Sequence, residues 1–122
     1  RYLEYMYKSC QSVLGSEKDL IQNVLEYLKE NYANNDVNVN YLGDQFHLSP
    51  SYLSKQFKDS MGVSLLAYLT NMRIEKSCEM LMNTEETVSR IAEACGFSSN
   101  EVFIRAFKKE KGITPGEFRK LK

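Results

Sequence analysis

The stretch "SPSYLSKQFKDSMG" spans residues 49–62, and "SSNEVFIRAFKKEKG" spans residues 98–112. Both open on serine, place an apolar residue four before a phenylalanine, follow that phenylalanine with lysine and close on glycine. In the first, Ser49 is a good N-cap and Pro50 sits at the first helical position, where its missing N–H costs nothing. At 3.6 residues per turn, Leu53 and Phe57 share one face, while Ser51, Ser54, Lys55 and Lys58 share the opposite one. Gly62 ends the helix. The second stretch reads the same way, with Ser98 as N-cap, Glu101 as its capping-box partner, and Phe103 and Phe107 as the anchored back. A short helix with an apolar back and a polar front is written twice.

The repetition extends outward from these helices. "VNYLGDQF" (residues 39–46) reads as a short helix carrying Val39, Leu42 and Phe46 inward. "TVSRIAEACGF" places Val88, Ile91, Ala92 and Cys95 in the same way at an offset of 49. From Phe103 onward the offset is 50, matching Leu53 to Phe103, Phe57 to Phe107, Lys58 to Lys108 and Gly62 to Gly112, so the second turn has gained one residue. Thr114-Pro115-Gly116-Glu117 is a capped helix start, and Ser64 can cap the helix after Gly62. The unit is therefore short helix, turn, short helix, glycine stop and capped exit helix.

Between the copies, residues 65–82 form a helical run with two apolar sides. Leu65, Leu69 and Met72 lie along one, and Ile74, Cys78 and Leu81 lie about 180° away, so the helix needs a partner on each side. That is the pattern of a connector between two modules. Ahead of the first copy, Ile21, Val24, Leu25, Leu28 and Tyr32 mark a surface helix, with Ser16 and Asp19 as a capping-box start and "NYANND" as its end. Strand patterns are almost absent, and the chain reads as all-α with about seven helices.

At 122 residues the chain is one domain's worth, and no run of about 18 apolar residues offers a membrane span. Cys10, Cys78 and Cys95 are odd in number, lack paired spacing and have His47 as the only histidine, which excludes a disulfide framework and a zinc set. They read as buried, reduced thiols of a cytosolic protein. The net charge is zero but unevenly placed: residues 1–49 hold 4 Lys/Arg against 7 Asp/Glu, residues 50–122 hold 12 against 9, and residues 100–122 hold 7 against 3. A basic end on a neutral chain makes an electrostatic footprint for a polyanion.

Two short helices joined by a tight turn, the second with a polar outer face, describe a helix-turn-helix. In that motif the second helix enters the major groove of DNA. Serine-rich helix starts suit phosphate contact, because unpaired backbone N–H groups and the helix dipole converge there. The paired repeats, above all "GFSSNEVFIRAFKKEKGITPGEFR" (residues 96–119), resemble the DNA-binding domain of the AraC/XylS family of bacterial transcription regulators. "SPSYLSKQFKDSMG" and "RIEKSCEML" resemble that family's first motif and connector helix.

The resemblance covers roughly residues 18–121 and implies two helix-turn-helix subdomains, residues 18–82 with the connector and residues 83–122. It implies base reading by Ser51, Ser54 and Lys55 in the first recognition helix, and by Asn100, Glu101, Ile104 and Arg105 in the second. Ser49, Lys58, Ser98, Ser99, Lys108 and Lys109 then meet phosphates. Arg105 is the sharpest candidate, since a guanidinium holds guanine O6 and N7 with two bonds. Ile104 can touch only a thymine methyl.

Double-stranded DNA is thus the implied partner, and RNA polymerase a second one if the protein activates. An upstream sensing or receiver domain of the same full-length chain is implied too, with no cofactor, metal or membrane, at a cytoplasmic, nucleoid-associated location. Residues 1–17 fit neither repeat and read as a linker tail from that upstream domain, the chain being a fragment of something longer.

Plainer readings accompany each of these. Glu101 reads first as a capping partner, Ser51 and Ser54 read as well as solvated surface, and Lys108, Lys109 and Lys111 would be an ordinary solvated face without the repeat. Phe97, Phe103 and Phe107 read as core, Tyr52 as packing at the subdomain edge, and His47 as a local hydrogen-bonding residue. The alternative function is a helical module whose paired helices bind another protein. No nucleophile–base pair or glycine-rich phosphate loop suggests an enzyme.

Overall fold

A computed structural model describes residues 13–122 of the chain. Seven helices and no strand occur among them: α1 (Val13–Asn31), α2 (Val39–Phe46), α3 (Pro50–Met61), α4 (Leu65–Asn83), α5 (Val88–Ala94), α6 (Asn100–Lys111) and α7 (Pro115–Arg119). The linker reading of residues 1–17 falls largely outside the described residues, as does Cys10. Helix α1 is already running at Val13, so Ser16 lies inside it and is not its N-cap.

Local signals explain most boundaries. The hydroxyls of Ser49, Ser64 and Thr87 accept from the amides of Tyr52, Ala67 and Arg90, closing the first turns of α3, α4 and α5. Thr114 and Glu117 make a reciprocal capping box at α7. Gly62 (φ 80°) and Gly112 (φ 84°) stop α3 and α6 in the left-handed region, where a side chain would be strained. One cap differs from its sequence reading. Ser99, not Ser98, caps α6 by accepting from Val102 N–H. Glu101 is therefore at the second helical position and closes no capping box; its carboxylate still complements the positive end of the helix dipole. Ser98 becomes the extra residue of the second turn.

The two apolar sides of α4 divide the molecule into two cores. Leu65 and Leu69 join Leu20, Ile21, Val24, Leu28, Val37, Leu42, Leu53 and Phe57 in the first, with Met72 packed against it. Ile74 and Leu81 join Ile91, Ala92, Cys95, Phe97, Phe103 and Phe107 in the second, with Cys78 packed against it. Burying each phenylalanine contributes about 1.5–3 kcal/mol. The internal repeat extends to ring geometry: Phe57 meets Tyr68 edge-on at 5.5 Å, and Phe107 meets Phe118 edge-on at 5.4 Å. The pairs lock α3 to α4 and α6 to α7.

Candidate nucleic-acid interface

Helices α3 and α6 each bury two residues, Leu53 and Phe57 in one and Phe103 and Phe107 in the other. Burial of that stripe fixes what faces outward. On α3 the exposed side chains opposite the core are Ser51, Ser54, Lys55 and Lys58, which line one continuous shallow surface together with Pro50 and Asp59. On α6 the corresponding exposed residues are Glu101, Arg105, Lys108 and Lys109. At the offset of 50, Lys55 matches Arg105 and Lys58 matches Lys108, so each front carries two cations in the same register.

The remaining candidates are placed differently. Ile104 is half-buried against the second core, at the flank of α6. Asn100 is half-buried too, and its Oδ1 is enclosed with no hydrogen-bond partner, beside Ser89, Glu93 and Phe97. Ser98 is exposed in the turn ahead of the helix. The hydroxyls of Ser49 and Ser99 accept backbone N–H groups as caps, which leaves each O–H able to donate outward.

The electrostatics separate cations held in the fold from those on the front. Lys55 Nζ lies 2.9 Å from Asp59 Oδ2, but both side chains are well exposed; such a pair contributes about 0.3–0.5 kcal/mol and yields readily to a stronger anion. Lys111, read from the sequence as part of the solvated face, instead lies 2.6 Å from Glu75 Oε2 and ties the end of α6 to α4. That hydrogen bond raises the ammonium pKa above its usual range. Tyr52 is 42% exposed on α3 rather than packed at an edge. Val102, its counterpart in α6, is 38% exposed, so both polar fronts are bordered by an apolar side chain in the same register. The sequence signal was available, since both residues lie well away from the buried stripe.

His47 occupies the left-handed end of α2 at φ 60°. Of the cysteines, Cys95 is buried and Cys78 half-buried, both as free thiols. Burial pushes the Cys95 pKa up to about 11. Among the described residues no group of three or more His, Cys, Asp or Glu side chains gathers as a metal site, and no helix is long and apolar enough to cross a membrane.

Two arginines to which the sequence reading assigned no role organise the frame behind the fronts. Arg119 Nε donates to the carbonyl of Leu81 at 3.1 Å and its Nη2 to that of Thr84 at 3.2 Å, pinning α7 to the end of the connector. Arg73 is only 9% exposed, in the middle of the connector between the two cores.

Residues 42–121 match the family model described as "Helix-turn-helix domain". A relative from Staphylococcus aureus (strain MSSA476), "Uncharacterized HTH-type transcriptional regulator SAS0078", is 36% identical over 118 residues, covering 97% of this chain and 15% of that protein. The chain thus spans about 15% of the length of the curated relatives it matches first. Among solved structures, the C-terminal domain of AraT, a response regulator from Geobacillus stearothermophilus, is similar with a TM-score of 0.81 and 30% identity, covering 84% of each chain. A probable AraC family transcriptional regulator from Rhodopseudomonas palustris CGA009 is similar with a TM-score of 0.73 and 26% identity, covering 84% of this chain and 96% of that one.

Proposed function

The chain belongs to the AraC-type helix-turn-helix family of transcription regulators, and from that premise we propose that it binds double-stranded DNA by placing α3 and α6 in two successive major-groove segments. The observation that carries this reading is the pair of polar, cation-bearing fronts in the same register on two helices, each with a fully buried back. A protein-binding module has no need to present the same short front twice from the two sides of one connector. Two grooves of one duplex do call for it.

The roles follow from position. Arg105 and Lys55, opposite the core, reach base edges, with Arg105 holding guanine O6 and N7. Ser51, Ser54 and Glu101 lie nearest the helix starts and contact the same base steps. Lys58, Lys108 and Lys109, a turn later, meet phosphates together with the hydroxyls of Ser49 and Ser99. Asn100 and Ile104, both half-buried, are supports at the flanks. In the longer protein, a regulatory domain outside this chain controls the binding, RNA polymerase is the partner where binding activates, and the site of action is the nucleoid.

Connector α4 has 19 residues, a rod about 28 Å long at 1.5 Å per residue, whereas successive groove segments on one face lie about 34 Å apart. A modest bend in the DNA closes that difference at a cost that depends on sequence. The test is a bipartite site selected from a random pool, with its two elements then moved apart. Inserting about 5 bp turns one element to the far face, and affinity should fall to that of a single module. Inserting a full turn should not restore it, because the connector cannot lengthen. Full affinity at every spacing would refute two-helix reading.

A further inference from the structure

Arg73 occupies an unusual position for a charged residue. It lies on the edge of α4 that joins the two apolar stripes, flanked in sequence by Met72 of the first core and Ile74 of the second. Its Nε donates to the carbonyl of Tyr32 at 2.7 Å and its Nη2 to the carbonyl of Asn34 at 3.0 Å. Both acceptors belong to the turn that follows α1, in the first module. That turn is itself tightly wound: Asn34 N–H donates to Asn31 O at 3.1 Å, Val37 N–H to Asn34 O at 3.1 Å, and Asp36 N–H to Asn34 Oδ1 at 2.9 Å.

The second module meets the same point. Gly96, the left-handed residue of its helix-turn-helix turn at φ 94°, lies so close that a methyl group there would collide with the Tyr32 carbonyl oxygen and stand 2.9 Å from Arg73 Nε. Lys76, one turn further along the connector, holds its ammonium 5.9 Å from the centre of the Tyr32 ring. One guanidinium thus ties the connector to the turn after α1 and lies directly beside the turn that aims α6. Burial lowers the Arg73 pKa from its usual value, so two fixed carbonyls take the place of water around a desolvated charge.

We propose that Arg73, clasped by the Tyr32 and Asn34 carbonyls and abutted by Gly96, is the positioning residue that sets the spacing and phase between the two recognition helices. It touches no DNA. It determines which separation of half-elements the protein accepts, and this assignment rests on the two-groove reading above. The chemistry suits the task, because a planar fork with two directed donors fixes orientation as well as distance. A stripe of aliphatic contacts would fix distance alone.

Two measurements on the 122-residue chain test it. The first takes Arg73→Met, which keeps the apolar stem and removes both donors, and measures its affinity for the selected bipartite site at the native spacing and with 1 bp added or removed. One base pair turns a half-element by about 35°. The native protein should lose roughly tenfold for either change, about the penalty of one mismatched base pair, whereas Arg73→Met should lose less than about threefold. Both proteins should bind a single half-element alike.

The second measurement needs no DNA. Spin-bearing unnatural side chains at Ser60 and Glu110, exposed positions in the same register of α3 and α6, report the inter-helix distance distribution. It should be narrow in the native protein and broadened in Arg73→Met. Arg73→Lys, which keeps the charge and the apolar stem but lacks the planar two-donor fork, should broaden it as well, and decides the matter if Arg73→Met does not fold. An unchanged distance distribution in the folded variants would overturn the clasp. A broadened distribution with no spacing preference in the native protein would keep the clasp and overturn the two-groove reading instead.

Discussion

Replacing Arg119 tests how the second module is fastened to the connector. Its guanidinium spans the carbonyls of Leu81 and Thr84, at 3.1 and 3.2 Å, where α4 ends and its last carbonyls lack intrahelical partners. A hydrogen bond from a charged donor contributes about 1.5–3 kcal/mol, at the lower end here because Arg119 is half-buried and water can replace it at the carbonyls. The cation also faces the negative end of the α4 dipole, which is worth a further 0.3–1 kcal/mol or so. Arg119→Ala should therefore cost about 2–3 kcal/mol, less than the sum of the parts because water recovers some of each bond. Arg119→Lys keeps the charge and one donor point, and should cost about half as much. For a domain of this size 1 kcal/mol moves the midpoint by about 4 °C, so the alanine variant should melt about 10 °C lower. Leu121, 67% exposed two residues on, provides the control, and Leu121→Ala should leave the melt unchanged. Hydrogen exchange should accelerate in α7 and the last turn of α4 while α2 and α3 keep their protection. An Arg119→Ala protein within about 0.5 kcal/mol of the native one would refute the fastening role.

Arg105→Ala should relax preference at one base pair and cost about 1–3 kcal/mol at the cognate site. Lys108→Ala should weaken binding to all sequences and lower the salt slope by about 1, whereas Lys111→Ala, whose ammonium is held by Glu75, should leave that slope unchanged. Leu69→Ala and Leu81→Ala should each cost about 2–5 kcal/mol, but in amide exchange the first should expose α2 and α3 and the second α5 and α6; identical exchange patterns would mean one core, not two. The Cys95 thiol, raised from 9.0 to about 11 by burial, is protonated more firmly in the folded chain than in the unfolded one. Its contribution is complete below pH 9.0 and is lost as the pH rises towards about 11. Urea midpoints of Cys95→Ala should accordingly fall less steeply across that window than those of the native protein.

What could be read from the sequence was what neighbouring residues decide among themselves. Ser49, Ser64, Thr114, Gly62 and Gly112 act within a single helical turn, and their roles followed from residue type and place. The opposed stripes of α4 needed only a period of 3.6 and some 19 residues to accumulate. The cap of α6 slipped by one position because Ser98 and Ser99 are chemically identical and only the length of the turn chooses between them. The clasps of Arg73 and Arg119 stayed hidden for a different reason: their acceptors are backbone carbonyls 35 to 41 residues away, and every residue type carries a carbonyl. Lys111 was hidden by the same kind of distance, its carboxylate partner being 36 residues off.

Turn length also explains a difference between the copies that composition alone would leave arbitrary. At Gly43 in α2, an added Cβ would stand 2.7 Å from the Leu48 carbonyl oxygen and 3.6 Å from Pro50 N, because the first turn passes from His47 to the Ser49 cap through one residue. The second turn passes from Gly96 to the Ser99 cap through two, Phe97 and Ser98. There the position matching Gly43 is Ala92, buried at 2% exposure in the second core. A methyl that the short turn excludes is thus a packing element under the longer one. Phe97, just ahead of the inserted residue, is buried and meets Phe103 at 5.0 Å, whereas its counterpart Leu48 in the shorter turn is only partly buried against the first core. That contact anchors the start of α6 from below while its front stays polar. The two copies therefore solve one geometric problem with different side chains, and a glycine in the first and an alanine in the second are each the residue their own turn allows.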